Sequence, residues 1–147
     1  MLHWWANDGV ALQELVANMH LLFVDAEELS LATDGRGTMD TLHVLGPEAV
    51  VVKYGARGAT LHHRGAPPVT FAAYPVAQVG DTTSAGDAFA GALVGLLASG
   101  AAPDDHASLR VALRMAAVVA AGAVQGVGID GLRGLTRGEV EAQVSVR

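Results

Sequence analysis

Apolar positions along the first third of the chain alternate between helical spacing and short continuous runs. From Asp8 to Asn18, residues Val10, Leu12, Leu15 and Val16 recur at helical spacing with Asn7 or Asp8 available as N-cap, which predicts a short amphipathic helix. His20 to Val24 is a brief apolar run followed by acidic residues, and reads as a buried strand ending at Asp25. A helix from about Ala26 to Ala32 is expected to follow. After the turn Asp34-Gly35-Arg36-Gly37, Thr38 is placed to cap a helix through Leu45, closed by Gly46-Pro47. Ala49 to Lys53 is rich in β-branched residues and is the clearest strand. A tight turn at Gly55 to Gly58 returns the chain as a second strand, Ala59 to His63, and Val69 to Ala73 suggests a third. Gly80 to Gly86 is a loop of Thr, Ser and Gly that opens into a helix from about Asp87 to Ala98, stopped by Gly100 and Pro103. Asp104 and Asp105 supply cap and dipole complement for a longer helix, Ser108 to Val124. Gly126 to Gly134 reads as a loop, and Thr136 with Glu139 forms a capping-box pattern for a last helix to about Val146. Strands alternating with helices predict an α/β layered domain, with no internal repeat and no composition shift to mark a boundary.

Composition narrows the function classes. The chain has 147 residues, 51% hydrophobic and 16% charged, enough for one compact domain and too apolar for a disordered chain. Nine basic residues against fifteen acidic ones give a net charge of -6, and the cations are scattered, so neither a nucleic-acid footprint nor an anionic-membrane one is expected. Without cysteine there is no disulfide, thiolate metal site or cysteine nucleophile, and a reducing, cytoplasmic compartment is the default. The longest apolar stretches, Ala88 to Ala98 and Met115 to Val124, fall short of the roughly 20 residues of a membrane helix, and no export signal is expected at the amino terminus. Ala and Gly together make up about 30% of the chain, so small-residue motifs match by chance and weight belongs to the rarer residues.

The rarer residues concentrate in Asp81-Thr82-Thr83-Ser84-Ala85-Gly86-Asp87-Ala88-Phe89-Ala90-Gly91. A loop of small residues leading into a helix start exposes backbone N–H groups at Ser84 to Asp87, backed by the positive end of the helix dipole, and so forms an anion hole. Asp87 in the first turn stands where it can meet a hydroxyl held beside that hole. Phosphoryl transfer asks for this pairing of charge stabilisation with a modest base for the attacking alcohol. The same residues also suit a plain helix start, in which Thr83 or Ser84 caps and Asp87 complements the dipole.

This segment resembles the carboxy-terminal signature of the ribokinase-like (PfkB) carbohydrate kinases, usually Asp-(Thr/Pro)-Thr-Gly-Ala-Gly-Asp-x-Phe-x-Gly. Asp81, Thr83, Asp87 and Phe89 match it, and Ser84 replaces the commoner Gly. The resemblance implies that Asp87 is the catalytic base and that the N–H groups of Ala85 and Gly86 receive the γ-phosphate. It also implies a monovalent cation site, K⁺ being the candidate, with Asp81 and Thr83 as ligands.

Two further segments follow in family order. Val50-Val51-Val52-Lys53-Tyr54-Gly55-Ala56-Arg57-Gly58-Ala59 looks like the family's strand-turn-strand at the nucleotide phosphates, with Lys53 as the phosphate-facing cation and Gly55 and Gly58 allowing close backbone approach. An ordinary hairpin with an exposed Lys is the plainer account. Phe23-Val24-Asp25-Ala26-Glu27-Glu28 resembles the family's Asn-x-x-Glu element, which organises Mg²⁺ and phosphate through water; Asp25 stands in for the Asn and Glu28 is retained. An acidic helix start complementing the macrodipole is the alternative there. Gly126-Val127-Gly128-Ile129-Asp130-Gly131 spells G-x-G-x-x-G, but it follows a helix rather than a strand and opens no βαβ unit, so a dinucleotide fingerprint is rejected. By resemblance this stretch lines the adenine pocket, with Ala117, Ala121 and Gly128 as candidates. Gly91-x-x-x-Gly95 reads as a helix packed closely on a sheet. The six histidines show no metal-ligand spacing and are expected at surface or edge positions, and Trp4-Trp5 suggests packing rather than chemistry.

Together these features imply a ribokinase-like three-layer α/β/α sandwich, of which residues 1–147 form the carboxy-terminal, nucleotide-binding and catalytic half. The amino-terminal substrate and lid half, with its Gly-Gly sugar-binding segment, is expected to be absent from this chain. The implied activity is ATP-dependent transfer of the γ-phosphate to a sugar hydroxymethyl group with ATP and Mg²⁺. A nucleoside such as adenosine is the alternative acceptor, and a non-catalytic nucleotide-binding fragment is the alternative of another class. Apolar surface left uncovered by the absent half makes a homo-oligomer an open possibility.

Overall fold

The structure is a computed structural model that describes residues 7–33, 39–100 and 105–145. It divides into two compact units, residues 1–72 and 73–147, a division that no shift in composition announces.

The first unit contains α1 (Gly9–Val16), β1 (Leu21–Asp25), α2 (Ala26–Ala32), α3 (Met39–Leu45), β2 (Ala49–Lys53), a 3₁₀ turn (Gly55–Arg57), β3 (Ala59–His63) and β4 (Val69–Phe71). The strands form one sheet in the order β1-β2-β3-β4. β1 and β2 run parallel, pairing Leu21 with Ala49 and Asp25 with Lys53, while β2–β3 and β3–β4 are antiparallel. Alternation along a strand then sorts the side chains. Leu22, Val24, Val50 and Val52 pack with Leu12, Val16, Ala32 and Leu42 of the helices in one buried cluster. Local hydrogen bonds fix the helix starts: Asp8 caps α1 through the Ala11 N–H, and Asp25 caps α2.

The second unit holds α4 (Ala85–Ala98), α5 (His106–Ala123), a 3₁₀ turn (Asp130–Leu132) and α6 (Arg137–Ser145). α5 packs against both α4 and α6. Met115, Val118 and Val140 are buried together, with Tyr74, Leu96, Leu135 and Val144 around them. Asp105 caps α5 by accepting from the N–H groups of Ala107 and Ser108, and those bonds with the Ser108 hydroxyl hold its carboxyl below the usual range. The expected capping box at α6 is present: the Thr136 N–H donates to Glu139 Oε2 at 2.8 Å and the Glu139 N–H donates to Thr136 Oγ1 at 3.3 Å.

The elements depart from expectation at their ends. β1 ends at Asp25 as expected but begins one residue into the apolar run, at Leu21, β4 stops at Phe71, and α5 begins two residues early at His106. α4 begins at Ala85 rather than Asp87 because the Ala85 N–H already closes a turn onto the Thr82 carbonyl at 3.2 Å. His63, expected at the surface, is buried: β3 registers it opposite Ala49 on the face that carries Val51 and Leu61. The turn at residues 34–37, the Thr38 cap, Asp104, His3 and Trp4-Trp5 lie outside the described residues. Among the described residues no helix is long and apolar enough to cross a membrane.

Candidate active site

In the first unit, the sequence-predicted residues gather at one end of the sheet. β1 and β2 are parallel and in register at Asp25 and Lys53, so both side chains leave the carboxyl ends of neighbouring strands on the same face. In open α/β sheets that edge is where ligands bind. Lys53 is half-buried and has no hydrogen-bond or ion-pair partner among the described residues. The chain turns immediately after it. Gly55 and Gly58 take φ values of 59° and 98°, a region that a side chain disfavours, and a Cβ placed at Gly55 would meet nothing within 4 Å. The open backbone beside Lys53 is thus reachable by a ligand. Within the same turn the Arg57 guanidinium lies 5.6 Å from the centre of the Tyr54 ring, which adds a second cation to this edge.

Asp25 and Glu28 form a capping box. Asp25 Oδ1 accepts from the N–H groups of Glu27 at 3.0 Å and Glu28 at 2.9 Å, while Glu28 Oε2 accepts from the Asp25 N–H at 3.0 Å. The structural alternative for these two carboxylates is therefore realised. It leaves Asp25 Oδ2 without a partner among the described residues, as hard an oxygen donor as Mg²⁺ requires. Glu28 is buried. The donor set fits a cation held through water, and no three His, Cys, Asp or Glu side chains form a ready cage among the described residues.

In the second unit, the signature loop is shaped by its own side chains. Asp81 Oδ1 accepts from the Thr83 N–H at 2.9 Å and from the Thr83 hydroxyl at 2.6 Å, and these two bonds hold the Asp81 carboxyl below its usual range. Asp81 and Thr83, the candidate ligands of a monovalent cation, are thus brought together with the carboxylate ionised. Ser84 is the N-cap of α4 but its side chain caps nothing; its hydroxyl donates instead to the Gly128 carbonyl at 3.3 Å. The expected set of free N–H groups is corrected at one position. Ala85 uses its N–H in the turn onto Thr82, leaving those of Ser84, Gly86 and Asp87 without partners among the described residues. The Asp87 side chain is exposed in the first turn and likewise unpartnered among the described residues. A positive helix end and an unengaged carboxylate stand side by side.

The Gly126–Gly131 stretch has a structural task that its spelling concealed. The N–H groups of Gly80 and Asp81 both donate to the Val124 carbonyl, at 2.7 and 3.3 Å, which ties the start of the signature to the end of α5. The loop then folds back so tightly that a Cβ on Gly131 would lie 2.2 Å from the Gly122 carbonyl oxygen, and one on Gly126 would lie 2.3 Å from the Gly131 nitrogen. These two glycines crowd each other rather than a cofactor, which agrees with the rejection of a dinucleotide fingerprint. Gly128, at φ 61°, is the one placed against Ser84. Ala117 is half-buried and Ala121 buried, one turn apart on one face of α5. The Val124 carbonyl and the close approach of Gly126 and Gly131 shape this loop, a task that motif reading missed; for the two glycines the spacing itself was the only signal.

The family model for pfkB family carbohydrate kinases matches residues 5–131. A stretch of 83 residues is 37% identical to ribokinase of Arabidopsis thaliana and covers 56% of this chain and 20% of that protein. The solved structure of Arabidopsis thaliana ribokinase complexed with ribose and ATP is similar at a TM-score of 0.71 and 31% identity, over 90% of this chain and 43% of that one. Burkholderia thailandensis nucleoside kinase in complex with inosine is similar at a TM-score of 0.78 and 27% identity, over 96% and 45%. These likenesses give the chain the ribokinase-like α/β fold in part. The chain spans a fifth of the curated relative and less than half of the solved ones.

Proposed function

The chain belongs to the pfkB family of carbohydrate kinases, and from that premise we propose that it forms the ATP side of an enzyme phosphorylating a hydroxymethyl group of a sugar. A nucleoside is the alternative acceptor, since the similar solved structures include a ribokinase with ribose and ATP and a nucleoside kinase with inosine. One observation carries the reading: at the start of α4 the N–H groups of Ser84, Gly86 and Asp87 and the Asp87 carboxylate all lack protein partners among the described residues.

In the proposed reaction the acceptor oxygen attacks the γ-phosphorus, the bond to the ADP oxygen breaks, and the acceptor's proton passes to Asp87. The three N–H groups and the dipole of α4 stabilise charge on the transferring phosphoryl oxygens. Lys53 faces the nucleotide phosphates, which the backbone at Gly55 and Gly58 approaches. Ala117, Ala121 and Gly128 border the adenine. Asp25 and Glu28 would hold Mg²⁺ through water, and Asp81 with Thr83 would hold K⁺. Bound Mg²⁺ supplies neutralisation of phosphate charge.

Calorimetric titration with Mg·ATP, followed by transfer assays over ribose, fructose, inosine and adenosine, tests this reading. Expected are saturable Mg·ATP binding, weakened in Lys53→Met, and transfer that Asp87→Asn lowers by about 10²–10⁴-fold with binding retained. Unchanged transfer in Asp87→Asn refutes the base assignment, and absence of Mg·ATP binding refutes the phosphate site. The alternative of another class is a nucleotide-binding chain without turnover. Mg·ATP binding with no transfer to any acceptor selects it.

A further inference from the structure

In the second unit the signature loop and the Gly126–Gly131 loop are tied together first by backbone and then by one side chain. The N–H groups of Gly80 and Asp81 donate to the Val124 carbonyl at 2.7 and 3.3 Å. Further along both loops, the Ser84 hydroxyl donates to the Gly128 carbonyl at 3.3 Å. Any residue but proline can supply the first tie, whereas the second needs a side-chain donor at position 84.

That second tie decides what the start of α4 can hold. Ser84 is the N-cap, and a serine there ordinarily turns its oxygen back to accept from the second or third helical N–H, here Gly86 or Asp87. It caps neither. With the hydroxyl engaged on Gly128, the N–H groups of Gly86 and Asp87 stay without protein partners among the described residues, as does that of Ser84 itself. The tip of the other loop has little else to fix it. Gly128 stands at φ 61° with nothing within 4 Å of where a Cβ would lie, and its neighbours Val127 and Ile129 are exposed rather than packed.

We infer that Ser84 is a positioning residue: its hydroxyl, latched on Gly128, keeps the Gly86 and Asp87 N–H groups open for an anion and sets the spacing between those donors and the Gly128 loop. The inference rests on the proposed ATP site, in which those donors meet the γ-phosphate and Gly128 borders the adenine. The ligand served by the latch is one long enough to touch both loops, a purine nucleoside triphosphate; the diphosphate lacks the group that reaches α4. Donors held in place before the ligand arrives need no reorganisation to meet its charge, and loss of the hydroxyl gives up that advantage for the triphosphate alone.

Calorimetric titration of the full chain with Mg·ATP and with Mg·ADP tests this in the unsubstituted protein, in Ser84→Ala, which lacks the hydroxyl, and in Ser84→Thr, which keeps it. Ser84→Ala is expected to weaken Mg·ATP about fivefold, within the range that one neutral hydrogen bond supplies, and Mg·ADP by less than about twofold, while Ser84→Thr keeps both within about twofold. Equal losses for the two nucleotides, as a general loosening of the fold would give, or no loss for either, overturn the inference and leave the ATP site standing. Absence of Mg·ATP binding by the unsubstituted chain refutes that site and the inference with it. The latch itself is read without nucleotide. The ¹³C resonance of the Gly128 carbonyl is expected to move in Ser84→Ala and to hold its place in Ser84→Thr; an unmoved resonance in Ser84→Ala overturns the latch.

Discussion

The Asp81–Thr83 pair shows how much of the signature is settled by contacts two residues apart. Two hydrogen bonds from Thr83 favour the ionised carboxylate, the side-chain bond more than the backbone one, and so depress the Asp81 pKa. A carboxyl whose folded pKa is lowered adds stability above its unfolded value and loses that stability as pH falls through the folded pKa. Thr83→Val removes the larger bond. Asp81 is then expected to titrate higher, closer to its ordinary 3.8, in a carboxyl-detected NMR titration; an unmoved pKa would show that the hydroxyl does not set it. The rare residues Asp81, Thr83, Asp87 and Phe89 were legible because each needs a specific neighbour or position. Gly126 and Gly131 were not: spacing records that a side chain is absent, and only the fold reveals whether a ligand or another strand of backbone fills the room.

At the level of elements, caps were more legible than ends. Asp8, Asp105 and the Thr136–Glu139 box sit where the pattern of short polar residues before apolar periodicity puts them. The Asp25–Glu28 pair illustrates a residue set with two meanings. Its capping-box geometry alone explains the acidic residues, so a metal role must rest on the oxygen that the cap leaves over. The two meanings separate experimentally. Asp25→Ala deletes the cap and is expected to cost about 1 kcal/mol in urea unfolding, whereas Asp25→Asn keeps an equivalent cap and is expected to change stability by less than about 0.5 kcal/mol. Equal losses in both variants would mean that the charge, rather than the cap, stabilises α2. The boundary of α4 was missed because the turn Thr82–Ala85 uses only backbone groups, which carry no sequence mark.

For the whole molecule, the α/β class followed from the order of strands and helices, while the division into two units did not, because residues 72–80 resemble any other loop in composition. Global stability offers a test that spans the fold. The net charge of -6 shrinks as pH falls from neutrality, and relief of self-repulsion should stabilise the chain slightly. His62 acts in the opposite direction. Burial first, and the charge on His43 second, lower its pKa from the ordinary 6.5, so below that value the unfolded chain binds more protons than the folded one. The stability that the neutral ring contributes is therefore complete above pH 6.5 and drains away as pH falls through 6.5 toward the folded pKa. Urea midpoints measured with chelator present at pH 7.5, 6.5 and 5.5 are expected to decline more steeply for the wild type than for His62→Gln. His43→Gln is expected to flatten the decline only in part, because it removes the smaller cause and leaves the burial. Identical slopes in all three proteins would place the acid sensitivity elsewhere in the chain.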